Sequence, residues 1–134
     1  MLMKKAIYSI IILVIVISVI SYFIKRGDTF IIVASPNENE KISSPLVVSG
    51  KARGNWFFEA NLPLILTDWD GKIIAEGYAT AQGEWMTEDF VPFEGTIEFA
   101  KPEYGERGFL IVKKDNPSGL PEYDDAIEIP ILFK

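Results

Sequence analysis

Residues 57–81 read FFEANLPLILTDWDGKIIAEGYATA. Phe58, Ala60, Leu62, Leu64 and Leu66 alternate with Phe57, Glu59, Asn61, Pro63, Ile65 and Thr67, the period of two that a half-buried strand requires. Asp70-Gly71 follows, a pair favoured in two-residue type I′ hairpin turns. Beyond it, Ile73, Ala75, Gly77, Ala79 and Ala81 fall on one face of a second strand over 72–81. A turn at 70–71 pairs residue 69 with 72, and therefore Leu66 with Ala75, Leu64 with Gly77 and Leu62 with Ala79. Large side chains then meet small ones on one face, which leaves room for an opposing sheet. The same parity puts Phe58 in the core, with Phe57 and Glu59 on the other side.

Outward from this hairpin, short strands recur between turn residues. Phe30 to Ala34 is a first strand, closed by Ser35-Pro36. Residues 46–52 turn Leu46, Val48, Gly50 and Ala52 inward, 96–100 turn Ile97 and Phe99 inward, and 109–114 (FLIVKK) is apolar. The last strand, 126–133, alternates Ile127, Ile129, Ile131 and Phe133 inward, with Pro130 outward, which places it at an edge or a bulge. Seven strands without a sustained 3.6-residue stripe predict an all-β fold, an immunoglobulin-like β-sandwich.

The sandwich does not account for the N-terminus. Residues 6–24 (AIYSIIILVIVISVISYFI) carry no charge. As a helix this run spans roughly 28 Å, about the hydrocarbon thickness of a bilayer. Apolar residues surround it on every side, unlike a core helix of a soluble domain. A cleaved signal peptide is the competing reading. The run is longer than a typical signal core, however, and Ser21-Tyr22-Phe23-Ile24-Lys25-Arg26 offers no small-x-small cleavage site. The chain thus divides into a transmembrane anchor with basic flanks (1–26) and a sandwich domain (27–134). Lys4 and Lys5 balance Lys25 and Arg26, and the terminal amine tips the count towards N-inside. The expectation is a single-pass cell-membrane protein with its C-terminal domain outside the cytoplasm. The linker Gly27-Asp28-Thr29, about 10 Å when extended, holds that domain next to the membrane surface.

Composition excludes most chemistry. Among 134 residues there is no Cys and no His. Disulfides, thiolate or imidazole zinc sites, Cys nucleophiles and Ser-His-Asp triads are therefore absent. The chain has 13 Lys+Arg against 19 Asp+Glu. Four of the basic residues flank the apolar run, which leaves nine against 19 in residues 27–134, a balance of −10. Such a domain is a poor nucleic-acid ligand. No cofactor is expected.

Four segments carry a family resemblance. They are Ser43-Ser44-Pro45-Leu46-Val47-Val48-Ser49-Gly50-Lys51-Ala52-Arg53-Gly54, Trp56-Phe57-Phe58-Glu59-Ala60, Glu84-Trp85-Met86-Thr87-Glu88-Asp89-Phe90-Val91-Pro92-Phe93, and Asp115-Asn116-Pro117-Ser118-Gly119-Leu120-Pro121. In this order, over about 31–133, they resemble the bacterial spore-germination immunoglobulin-like domain. The resemblance implies an extracytoplasmic, non-enzymatic module. In that family the domain is often joined to a separate germination domain in envelope lipoproteins. Residues 27–134 are expected to form the sandwich alone, without such a partner domain, and the expected membrane attachment is a helix rather than a lipidated cysteine.

The same segments supply the candidate binding residues: Trp56, Phe57, Glu59, Trp85, Met86, Thr87, Asp89, Asn116 and Ser118. Each admits a structural reading. Trp56 and Phe57 either cover the end of the sandwich or, with Glu59, face a partner or a glycan ring. Trp85 and Phe90 either plug the open end or belong to a recognition surface, and Thr87 and Asp89 can bond backbone amides. Asn116-Pro117-Ser118-Gly119 has the residues of a type I turn. Asp68-Trp69-Asp70-Gly71 looks like the start of a calcium loop, but Lys72 and Ala79 stand where oxygen ligands are needed. The carboxylates Glu88/Asp89 and Glu122/Asp124/Asp125 would need to face each other across a cleft for glycosidase chemistry, which a small sandwich with short loops rarely provides. The expected partners are envelope proteins or a cell-wall glycan, the latter through Trp56, Phe57, Trp69 or Trp85, besides the membrane through 6–24.

Overall fold

The computed structural model describes the backbone of residues 1–27 and 29–134, and the side chains of 1–23 and 29–134. The expected linker therefore includes one position, Asp28, outside the described residues. Helix α1 (Leu2–Gly27) precedes eight strands: β1 (Ile31–Ser35), β2 (Glu40–Ile42), β3 (Leu46–Arg53), β4 (Asn61–Asp68), β5 (Ile73–Ala81), β6 (Phe90–Ile97), β7 (Arg107–Lys113) and β8 (Ala126–Phe133). No part of the apolar span Leu2–Phe23 is buried.

The strands form one continuous sheet in the order β1-β3-β6-β5-β4-β7-β8-β2. It curls so that β1-β3-β6-β5 and β4-β7-β8-β2 bury their inner faces against each other. These halves are the two sheets of an immunoglobulin sandwich, joined here through the β4–β5 hairpin. Every pairing is antiparallel except β2 with β8. The first strand of the sequence reading is β1; β2, which follows on the other sheet, is a strand that reading did not contain. With three residues, β2 is too short to show a period, which is why only seven strands were expected.

The core draws on both halves. Val48, Ala52, Leu62, Leu64, Leu66, Ala79, Leu110 and Val112 are fully buried, joined by Phe93, Ile97, Ile131 and Phe133. Burying each large aliphatic side chain contributes roughly 1.5–3 kcal/mol. Pro130 sits on β8 opposite Phe109 of β7, and its carbonyl accepts the Asn39 N–H at 2.7 Å; β8 is therefore not an edge strand, and the proline falls immediately before the stretch Ile131–Phe133 that pairs with β2.

The central hairpin keeps the expected register: Leu62 pairs with Ala79, Leu64 with Gly77 and Leu66 with Ala75. It reaches that register by a different route. The Asp68 N–H donates to the Lys72 carbonyl at 2.9 Å, enclosing a three-residue loop that ends in Gly71 at φ 80°. The odd residue is absorbed at Ile74, because Thr67 pairs with Ile73 while Leu66 pairs with Ala75. The bulge reverses the parity below it. Ile73, expected inside, is 52% exposed, and Ile74 packs on the core instead. The Asp68 carboxylate shapes the loop by accepting the N–H groups of Asp70 and Lys72, both at 2.9 Å. Asp68→Ala should cost about 1 kcal/mol, read as a lower urea midpoint at unchanged slope.

Two more expectations are corrected. Residues 57–60 do not begin the long strand: Gly54–Trp56 is a 3₁₀ turn, and Glu59 (φ 49°) and Ala60 (φ 65°) are left-handed. The parity argument therefore fails there. Phe57 is buried at 4% exposure and Phe58 is 41% exposed, the reverse of the expected placement. Likewise β6 starts at Phe90, not near 96, and puts Val91 and Phe93 in the core. Pro92 and Gly95 interrupt its alternation in the sequence. Phe99 lies beyond β6, half-buried, edge-on to Phe133 with ring centroids 5.7 Å apart.

Candidate functional site: the three-loop end of the sandwich

β3, β5 and β7 all run towards one end of the sandwich, so the β3–β4 loop (54–60), the β5–β6 loop (82–89) and the β7–β8 loop (114–125) meet there. β1 starts at the same end: Ile31 pairs with Ala52, and the Arg53 N–H donates to the Phe30 carbonyl at 2.7 Å.

Gly54 is the point of closest approach. Its N–H donates to the Asp89 carbonyl at 3.2 Å. A methyl group on Gly54 would lie 1.9 Å from the Thr87 carbonyl oxygen and 2.3 Å from that of Trp85. Only a residue without Cβ lets the 85–89 backbone lie on the 53–56 turn. Beside it, the Arg53 guanidinium stacks 3.9 Å from the Phe90 ring centroid and donates to the Glu88 carbonyl at 3.4 Å. The Trp56 carbonyl accepts the Asp115 N–H at 2.9 Å, tying in the third loop.

The side chains follow this frame. Trp56 is 3% exposed and Phe57 packs edge-on to Phe93. Trp85 is half-buried against the core. The Asp89 N–H donates to the Thr87 hydroxyl at 3.2 Å, and the Met86 N–H to the Glu84 carboxylate at 3.0 Å. The Asn116 amide donates to the Leu120 carbonyl and the Asp124 carboxylate, both at 2.8 Å, while its oxygen accepts the Ser118 hydroxyl. Glu59, Met86 and Ser118 face solvent. All nine candidate residues therefore lie at one end. Four of them, Trp56, Phe57, Trp85 and Asn116, are largely spent on holding it together.

Trp69 is at the opposite end, in the β4–β5 loop, 61% exposed. Gly105, at φ 84°, lies against its ring: a Cβ there would be 2.9 Å from Cδ1. Glu106 and Arg107 complete a shallow surface around the indole, and Tyr104, next to Gly105 in the chain, is exposed. No sequence pattern marks this neighbourhood, because residues 69 and 105–107 are joined only by the fold. Among the described residues, no three acidic side chains gather as a metal site.

A family model for the immunoglobulin-like domain of bacterial spore germination matches residues 30–120. The chain belongs to this family. The match runs from the start of β1 into the β7–β8 loop, so it contains every segment of the three-loop end up to Leu120. Such an immunoglobulin-like domain is a non-catalytic type, and with α1 ahead of it the chain has the make-up of a membrane-anchored immunoglobulin-like module. No curated protein and no solved structure matches the chain.

Proposed function

We propose that this protein is a single-pass envelope protein whose sandwich domain (27–134), held outside the cytoplasm, serves protein–protein interaction or envelope structure rather than catalysis. One observation carries the reading: Leu2–Phe23 is a 22-residue apolar helix with none of its surface buried by the domain that follows. That much exposed hydrocarbon needs a bilayer. The rigid three-loop end suits presentation of a fixed surface. Fusing alkaline phosphatase or a green fluorescent protein to Lys134 tests orientation. An active phosphatase and a dark fluorophore are expected, and the opposite pair would put the domain in the cytoplasm. The mass of the membrane-bound protein tests retention of residues 1–26, since cleavage would shorten it.

Trp69 supports a second reading, a module that binds peptidoglycan or another wall polymer. Of the four rings proposed for glycan stacking, Trp56 and Phe57 are buried and Trp85 is half-buried, which leaves Trp69. Its indole and the 82% exposed Tyr104 lie at the end away from the start of β1. Trp69→Ala should change stability by less than about 0.5 kcal/mol. If wall binding is the function, it should abolish retention of the detergent-solubilised chain on purified cell wall; undiminished retention would discard the glycan reading.

A further inference from the structure

The domain is tethered by one specific end. Between Gly27, the last residue of α1, and Ile31, the first of β1, lie three residues, a reach of about 14 Å at full extension. β1 starts at the three-loop end, fixed there by the Arg53–Phe30 hydrogen bond. The opposite end, with Trp69 and Tyr104, is a strand length away, about 25 Å. The tethered end also exposes apolar side chains from every segment that reaches it: Phe30 (42%), Phe58 (41%), Met86 (75%), Leu120 (47%) and Tyr123 (54%). Solvated carboxylates of Glu59, Glu84, Glu88, Glu122 and Asp125 surround them.

We infer that the three-loop end rests on the bilayer that holds α1, with Phe58, Met86, Leu120 and Tyr123 in the headgroup layer. The inference rests on the membrane-anchor reading and adds which face of the domain meets the lipid. Amphipathic and apolar side chains are favoured in the interfacial layer, where carboxylates also stay hydrated. The acidic rim sets the lipid preference. Zwitterionic headgroups offer cationic ammonium groups to the carboxylates, whereas anionic headgroups repel them within a Debye length of about 8–10 Å. The contact should therefore weaken as anionic lipid is added, opposite to the behaviour of a basic membrane-binding patch.

The absence of cysteine makes the test direct. The full chain would be reconstituted into phosphatidylethanolamine–phosphatidylcholine vesicles as single variants Met86→Cys, Tyr123→Cys, Tyr78→Cys and Tyr104→Cys, each carrying an environment-sensitive dye. Tyr78 (62% exposed, on β5) reports the flank and Tyr104 the far end. Quenching by shallow spin-labelled lipid should be roughly threefold stronger at 86 and 123 than at 104, given the 25 Å between ends. Equal quenching at 78 or 104 would overturn the proposal, as would quenching at 86 that grows with anionic lipid. Dye at 86 and 123 that is shielded only in native membranes, not in these vesicles, would also overturn it and assign the end to a protein. Flotation of the vesicles separates the premises: loss of co-flotation of the unlabelled chain means the anchor reading has failed, not the orientation.

Discussion

Alanine in place of Phe57 should lower stability by about 3–4 kcal/mol, while alanine at its neighbour Phe58 should cost less than about 1 kcal/mol. Phe57 is 4% exposed and meets Phe93 edge-on at 6.5 Å between centroids, so its removal opens a cavity between the β3–β4 loop and β6. Phe58 stands 41% exposed on the turn closed by its two backbone hydrogen bonds with Asn61, at 3.2 and 3.0 Å. Denaturant melts of the two variants check this. The reverse ranking would restore the strand parity that alternation alone suggests, and with it a core position for Phe58.

Gly54→Ala should be nearly as damaging, at about 3 kcal/mol, an overpacking against backbone that cannot be relieved by a rotamer change. The added methyl would meet two carbonyl oxygens, of Thr87 and Trp85, at 1.9 and 2.3 Å. The β5–β6 loop must therefore lift, breaking the hydrogen bond from Gly54 to Asp89. For a domain of this size the melting temperature should fall by roughly 15 °C. The exposed neighbour Asn55 serves as control, with Asn55→Ala expected within about 0.5 kcal/mol of the parent. A Gly54→Ala variant as stable as this control would mean that the two loops are not packed as described.

The hairpin shows how far periodicity carries. Leu62, Leu64 and Leu66 could be matched to Ala79, Gly77 and Ala75 because side chains alternate strictly along a strand and large must oppose small. The loop that joins them was not legible. A two-residue and a three-residue loop serve the same register once a bulge at Ile74 takes up the difference, and nothing in the local sequence marks that bulge. Alternation also continued past the strand, through Phe58 and Ala60, although Glu59 and Ala60 adopt left-handed conformations that end any strand. Such conformations cost about 1 kcal/mol or more for a residue with a Cβ, and they persist because Phe57 is buried as a result.

The candidate residues divide in the same way. Their place in the motif segments was readable as a family pattern; that the fold brings all nine to one end was not. Which of them are structural was not readable. Trp56 and Met86 are both apolar and both lie in motif segments, yet one is 3% exposed and the other 75%.

By itself the sequence determined the all-β sandwich, the central register, the apolar helix ahead of it, the acidic balance of the domain and the absence of imidazole and thiol chemistry. These follow from local period, length and composition, which act within one segment at a time. Only the tertiary structure decided the rest: the passage of the chain from β1 on one sheet to the short β2 on the other, the burial of Phe57 over Phe58, and the Gly54 contact. It alone also placed the motif loops and the start of β1 at one end, with Trp69 at the other. Those outcomes depend on contacts between residues far apart in the chain, here Gly54 with Thr87 and Trp56 with Asp115, whose geometry is set by packing the two halves of the sheet together.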